Sequence, residues 1–359
     1  MDLKDYGWDA EFGARFAPFA ALGLRPARVI RQSRDRSLLV TADGELAGEV
    51  SGRFRHRALA LSDYPAVGDW TAVKPGRSGP ALIESVLPRR SAFVRKAAGD
   101  VTEAQVVAAN VDTVFLVSGL DGDFNLRRIE RYLTTAWTSG AAPVIVLNKA
   151  DVPPDPEACV AAAAGIAPGV PVLTVSALAE GGLAPIGPYL APGRTVALLG
   201  SSGVGKSTIV NRLLGASRFR TSAMSDAAEG RGRHTTTSRE LVRLPGGALL
   251  IDTPGMRELQ LWADDAGLDR TFEEVERLSA LCRFPDCRHE REPGCAVRAA
   301  VEAGTVEPDR LASYLKLGRE LKRLELKKDA KARRQQEKAD GRRFASMLKE
   351  VKKQKARYR

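Results

Sequence analysis

No stretch of the chain approaches the roughly 20 consecutive apolar residues that a membrane span requires. Its opening, MDLKDYGWDAEFGARF, puts acidic residues where a secretory signal would carry an apolar run, so a cytoplasmic protein with no membrane partner is expected. Cysteine is scarce too: four in 359 residues, unevenly placed, cannot build a disulfide scaffold. Cys159 stands alone in an alanine-rich stretch and reads as a small buried hydrophobe. Cys282, Cys287 and Cys295 instead cluster around His289, one of only three histidines. Nor is one sign of charge in excess over most of the chain. Residues 321–359 hold 16 of the 55 Lys and Arg but 5 of the 44 Asp and Glu, which leaves 39 of each sign elsewhere. The formal charge of +11 therefore belongs to a basic tail, either a solvated end or a contact for nucleic acid.

What is present is a globular composition, 44% apolar, on a chain long enough for two or three domains. After a possible N-terminal helix, residues 26–87 read as short strands between turns: PARVIRQ, SLLVTADGELAGEVSG, DWTAVKPG and ALIESVLP, with a turn at Asp43 and Gly44. They predict a small antiparallel barrel. The OB-fold, which often binds oligonucleotides, is one of several five-stranded barrels that fit. From about residue 105, apolar runs of the parallel-sheet kind (VDTVFLVSG, APVIVLN, TVALLG and ALLIDTPG) alternate with helices. Between the first two, NLRRIERYLTTAW places Ile129, Tyr132, Leu133 and Trp137 on one helical face. This is a doubly wound α/β pattern. Beyond residue 260 the chain reads as helical, with TFEEVERLSALC before the cysteine cluster and DRLASYLKLGRELKRLE after it. In the tail, Phe344, Met347, Leu348 and Val351 have the spacing of a helix with a docking face.

Gly200, Ser201, Ser202, Gly203, Val204, Gly205, Lys206, Ser207 and Thr208 satisfy the phosphate-loop pattern G-x-x-x-x-G-K-[ST] between a strand and a helix. The glycines accept positive φ and keep Cβ atoms away from the phosphates. Successive N–H groups and the helix N-terminus face the anion. Lys206 can reach the β- and γ-phosphates, and the Ser207 hydroxyl can ligate Mg²⁺. The loop indicates a nucleoside triphosphate without naming the base; VIVLNKAD names it. Asp151 can accept from guanine N1–H and the 2-amino group and Asn148 can donate to N7, with Lys149 between them, whereas adenine would offer Asp151 an acceptor. Alone, the tetrapeptide could equally cap a helix. In VSAL, Ser176 and Ala177 would pack behind the base with a backbone N–H toward O6. DTPG has the form of a loop that senses the γ-phosphate: Asp252 would hold Mg²⁺ through water and the Gly255 N–H would touch the phosphate. In EGRGRHTTTSREL, Thr236 or Thr237 would complete the Mg²⁺ shell; otherwise the segment is a polar surface loop.

The base-reading motif precedes the phosphate loop, the reverse of the usual GTPase order, which makes the arrangement a circular permutation. With a barrel before it, a cysteine cluster after it, and the segments AANVD, GDFNLRRIERYL, GRGRHTTT and DTPGMRE, the chain resembles the RsgA/YjeQ family of small-ribosomal-subunit-dependent GTPases over roughly residues 25–325. The resemblance implies a multidomain α/β protein. An OB-fold barrel would span 26–90, a circularly permuted P-loop GTPase domain 91–258 and a helical zinc-binding domain 259–325, flanked by an N-terminal extension 1–25 and the basic tail 326–359. It implies GTP, Mg²⁺ and one structural Zn²⁺ as cofactors, and a monomer that binds the small ribosomal subunit and its rRNA. It further implies GTP hydrolysis stimulated by that subunit, late in its maturation.

The family's zinc ligands match Cys282, Cys287, His289 and Cys295, and three thiolates with one imidazole independently suit a closed tetrahedral site. Pro285 and the Pro293–Gly294 pair look like the turns that gather them. Directly after DTPG, Ras-like enzymes carry a glutamine that orients the attacking water; here the residue is Met256, so slow intrinsic turnover is expected, with rate supplied by a partner. His234 is a candidate to orient that water, or else faces RNA. Arg231, Arg233 and the tail would contact RNA phosphates. Because the segment 252–258 runs into the zinc domain, nucleotide state could shift that domain relative to the barrel. The alternative is an rRNA-binding assembly scaffold that uses GTP as a conformational ligand with little turnover.

Overall fold

Residues 1–33, 36–76, 79–97, 103–152, 155–216, 239–252 and 264–327 are described by a computed structural model of the protein. Strands β1 (Arg25–Gln32), β2 (Ser37–Thr41), β3 (Gly44–Val50), β4 (Trp70–Lys74) and β5 (Ala81–Val86) close the barrel. All neighbours are antiparallel except β3 and β5, and β1 pairs with β4 to complete the ring, an OB-like arrangement. Its interior is filled by Ala27, Val29, Leu39, Val73, Ala81 and Ile83. The β2–β3 hairpin differs from the expected turn. Thr41 already pairs with Gly44, so Ala42 and Asp43 are the loop residues, and Gly44 opens β3 with φ 126°. Helix α1 (Ala10–Ala20), capped by the Asp9 carboxylate, lays Phe12 and Phe16 over Trp70 and Leu87 on the barrel's outside. A short helix α2 (Gly52–Arg57) bridges the barrel between β3 and β4.

A hairpin of β6 (Ala92–Lys96) and β7 (Ala104–Ala109) leads into the second unit. There β8 (Thr113–Gly119), α3 (Leu126–Ser139), β9 (Ala142–Asn148), α4 (Glu157–Ile166), β10 (Val172–Thr174), β11 (Thr195–Leu199), α5 (Lys206–Leu214), β12 (Arg239–Arg243) and β13 (Leu249–Asp252) follow in sequence. The strand order is β10-β9-β8-β11-β13-β12, parallel throughout except for β12. Alternate residues of β8 face opposite layers: Val114 and Leu116 pack with Ile129 and Leu133 of α3, while Phe115 and Val117 pack with Val204 and Ile209. Burial on both faces explains why these strands read as continuous apolar runs.

The barrel and the second unit share a core in which Ile30, Val40 and Val67 pack with Val107, Leu241 and Ile251, and polar contacts add to it. Antiparallel pairing of Gln32 with Arg239 and Arg31 with Glu240 fuses the barrel strands to β12, so that eleven strands form one sheet and β6 and β7 a separate pair. Behind it, Arg28, 2% exposed, donates to the carbonyls of Tyr6, Gly68 and Asn110 and to Thr195 Oγ1 at 2.9 Å. Burial lowers its pKa to about 10, which leaves it charged at neutral pH.

The remaining unit is helical: α6 (Asp265–Thr271), α7 (Glu273–Ser279), α8 (Ala296–Glu302) and a helix α9 over 308–327. The stretch TFEEVERLSALC is not one helix. Phe272, at φ −120°, separates α6 from α7, and α7 ends at Ser279, leaving Cys282 in irregular chain. Of these helices, α6 and α9 pack on α3. Arg310 of α9, 5% exposed, donates to Glu130 Oε1 at 2.8 Å, to Glu274 Oε1 at 2.6 Å and to the Thr271 carbonyl at 2.6 Å. Arg131 grips Glu320 through two bonds of 2.7 and 2.9 Å, and Thr134 meets Thr271 at 3.1 Å. No helix among the described residues is long and apolar enough to cross a membrane.

Candidate nucleotide and zinc sites

The phosphate loop, the base-reading loop and the end of β13 all lie beyond the carboxyl ends of parallel strands. There β11 sits between β8 and β13, where successive crossovers diverge and α/β sheets bind ligands. The loop of residues 200–205 turns from β11 into α5. Gly200 stands over the Val117 carbonyl and Gly205 over the Asn148 amide, and a Cβ on either would overlap its neighbour. Gly203 and Gly205 have φ of 84° and 95°. Gly205 is also the N-cap of α5 and gives it no side-chain cap, so the first helical N–H groups are offered to an anion. Lys206, 8% exposed, folds back over the loop and donates its ammonium to the carbonyls of Gly200, at 2.7 Å, and Ser201. Ser207 and Thr208 follow in the first turn of α5, and Asp252 ends β13 on the neighbouring strand.

Asn148, 2% exposed, ends β9 and ties three loops together. Its Nδ2 donates to the Val204 carbonyl at 2.8 Å, and its Oδ1 accepts the Ala177 N–H at 3.1 Å. The Ala177 N–H is therefore given to Asn148 in this structure, and the Ser176 N–H to the Gly182 carbonyl at 3.1 Å. Lys149 takes a left-handed φ of 64°, which swings Asp151 into solvent, where a hydrogen bond from the Ser176 hydroxyl lowers its pKa. The carboxylate expected to read guanine is thus ionised and accessible. Ser202 is exposed at the mouth of the loop, and Val204 is fully buried beneath it. His234, Thr236, Thr237, Gly255 and Met256, with Arg231, Arg233 and the basic tail beyond 327, lie outside the described residues.

Four side chains that touch these loops escaped the reading of the sequence. Arg212, two turns along α5, donates to the carbonyls of Ala177, Leu178 and Ala179 at 3.1, 2.9 and 2.8 Å and clamps the base loop to the phosphate-loop helix. Asp121 pairs with Lys149, which lowers the Asp121 pKa. Asp123 accepts the Ser201 hydroxyl at 2.6 Å, and Arg128 donates to the same hydroxyl at 2.9 Å. The available signal was two carboxylates directly after a buried strand, just before the Asn125 cap of α3.

Cys282, Cys287, His289 and Cys295 converge between α7 and α8, with all four donor atoms within 4.8 Å of one another. Cys282 Sγ lies 3.9 Å from Cys295 Sγ, and His289 Nδ1 lies 3.6 and 3.4 Å from the same two sulfurs. A tetrahedral ion with bonds of about 2.3 Å needs donor separations of roughly 3.8 Å, so the set fits structural Zn²⁺. Burial lowers the His289 pKa and favours the neutral imidazole that a metal requires. Its other nitrogen, Nε2, meets Ser279 Oγ at 3.2 Å. Gly294, at φ 73°, and the turn closed by the Cys287 N–H on the Phe284 carbonyl at 3.2 Å bring the strands of the cluster together.

A family model for RsgA GTPases matches residues 86–262. Over 330 residues the chain is 54% identical to the small ribosomal subunit biogenesis GTPase RsgA of Opitutus terrae, spanning 89% of this chain and 90% of that protein. The protein of the same name from Streptomyces coelicolor is 46% identical over 334 residues, spanning 92% and 90% of the two chains. Among solved structures, YjeQ from Thermotoga maritima aligns with a TM-score of 0.61 at 27% identity, over 83% of this chain and 98% of that one. The circularly permuted GTPase YloQ gives 0.60 at 23% identity over 83% and 95%, a likeness that bears on the fold alone. With 54% identity to one such protein over 89% of its length and a matching family model, this chain, which carries the barrel, the nucleotide-binding sheet and the Cys₃His cluster, belongs to the RsgA GTPase family.

Proposed function

We propose that this GTPase binds the small ribosomal subunit in the cytoplasm as a monomer, late in that subunit's maturation, and hydrolyses GTP to GDP and phosphate faster when bound. The observation that carries the reading is 54% identity over 89% of the chain to a small ribosomal subunit biogenesis GTPase. The site supports it with a guanine-reading carboxylate beside a complete phosphate loop. Asp151 and Asn148 would select the base, with Lys149, Ser176 and Ala177 shaping the pocket around it. The N–H groups of Gly203 to Thr208 and the Lys206 ammonium would hold the phosphates. Ser207, Asp252 and Thr236 or Thr237 would hold Mg²⁺, which when bound neutralises charge on the β- and γ-phosphates. The Gly255 N–H would sense the γ-phosphate. Met256 offers no group to orient water, so the chain alone turns over slowly, and His234 takes that part when the subunit is bound. Arg231, Arg233 and the tail contribute rRNA contacts that weaken steeply with salt.

The test is hydrolysis of GTP and of ATP with mature small subunits, immature small subunits and large subunits. Turnover of GTP alone, raised by small subunits alone, is expected. Turnover that small subunits leave unchanged while they still bind would favour a scaffold that uses GTP only as a conformational ligand. His234→Ala should abolish the stimulation without abolishing binding.

A further inference from the structure

The six residues between β8 and α3 touch both halves of the nucleotide site. Asp121 holds Lys149 of the base-reading loop. Two residues on, Asp123 Oδ2 accepts the Ser201 hydroxyl at 2.6 Å, while Arg128, itself paired with Asp123, donates to that hydroxyl at 2.9 Å. Ser201 is therefore held by its side chain to α3 and by its carbonyl to the Lys206 ammonium. That ammonium donates to the carbonyls of both Gly200 and Ser201, so a shift of Ser201 carries the lysine with it. The same helix, within one turn of Arg128, carries Glu130 and Arg131, whose partners Arg310 and Glu320 belong to the zinc-binding unit.

We propose that Asp123 and Arg128 are positioning residues for Lys206, and that α3 transmits the placement of the zinc-binding helices to the phosphate loop. The route runs from Glu320 and Arg310 through Arg131 and Glu130 along a hydrogen-bonded helix to Arg128, Ser201 and the lysine. It is separate from the chain connection through 253–263. Small displacements travel through such packed elements because neither a helix nor a buried ion pair deforms smoothly. By reciprocity, GTP bound at Lys206 must bias the seating of the zinc-binding unit by the same factor.

A double-mutant cycle on the full chain tests this, with the affinity for fluorescently labelled GTP as readout and without ribosomes. Glu320→Gln breaks the Arg131 grip far from the nucleotide, and Ser201→Ala removes the hydroxyl that α3 holds. Ser201→Ala should weaken GTP binding on the order of 10-fold, the loss expected for a hydrogen bond to a charged group. Glu320→Gln should weaken it about threefold in the Ser201 chain and leave it unchanged in the Ser201→Ala chain, because the link is already cut. Arg131→Gln removes the same grip from the other side and should repeat the result. Equal effects of Glu320→Gln in both backgrounds, or none in either, would overturn the proposal. The inference rests on GTP binding alone. A chain that binds GTP but ignores small subunits would overturn the function proposed above without altering this outcome.

Discussion

Gly205 lies directly against the side-chain amide of Asn148, so that the phosphate loop and the base-reading loop touch through a glycine with no room for a Cβ. With φ at 95°, the position is doubly closed to other residues. Gly205→Ala should therefore displace Asn148 from the Val204 carbonyl and from the Ala177 N–H and weaken GTP binding on the order of 100-fold. Gly203→Ala, where no atom lies within 4 Å of the added Cβ, should cost only the roughly 1–2 kcal/mol of a left-handed alanine. Equilibrium binding of labelled GTP to the two variants measures the difference, and equal losses would refute the contact's importance.

Base selection can be inverted at Asp151. An asparagine there presents a donor to the 2-position, which suits the carbonyl of xanthine and repels the amino group of guanine. Asp151→Asn should lose affinity for GTP on the order of 100-fold and gain it for xanthosine triphosphate. Competition between the two nucleotides for the variant measures this, and continued preference for GTP would show that Asp151 does not read the base.

Glu130 is fully buried with Arg310 as its buried partner, while Arg127 reaches the same carboxylate from the surface. Arg310→Met strands most of that charge and should destabilise the chain by about 3 kcal/mol. Adding Glu130→Leu removes the stranded carboxylate and should restore most of the loss. Denaturant midpoints of the single and double variants are the measurement; a double variant no more stable than the single one would contradict the assignment.

Tyr314 donates its phenol to Glu276 at 2.6 Å, and burial together with that carboxylate raises its pKa above the ordinary value of 10.0. Because the folded pKa is the higher one, the contribution to stability is complete below about pH 10, where the unfolded phenol also keeps its proton. It is lost as pH rises past that point toward the folded value. Tyr314→Phe cannot show this loss, so the stability difference between the two proteins should change through pH 10 to 11 and stay flat from pH 7 to 9. Paired denaturation series over that range decide it.

The parts legible in the sequence were those whose chemistry is local. A phosphate loop and an N-K-x-D tetrapeptide each sit within nine residues, and their strand context is written in continuous apolar runs. The Cys₃His cluster likewise declares itself within 14 residues, from Cys282 to Cys295. What stayed hidden depends on partners far along the chain. Glu130 and Arg310 read separately as solvated charges, since nothing in either neighbourhood says that 180 residues later a guanidinium closes over the carboxylate. The pairing of Gln32 with Arg239 is invisible for the same reason. Asp123 could have been suspected from its place after a buried strand, but its target, Ser201, is a variable position of the loop motif.

The strand order also sets a timetable for folding. In a chain made from its N-terminus, β8, β9 and β10 are the first strands of the nucleotide-binding sheet to emerge and can pair at once, but the inner edge of β8 stays open until β11 arrives some 80 residues after β8 begins. β13, which covers the far edge of β11, comes later still, and the end of β1 waits more than 200 residues for β12. The nascent protein thus exposes an apolar strand edge through much of its synthesis, and the base-reading loop exists before there is a phosphate loop to complete it. Slow, non-local closure of this kind makes the arrival of β11, past the middle of the chain, decisive for whether the earlier strand β8 stays soluble.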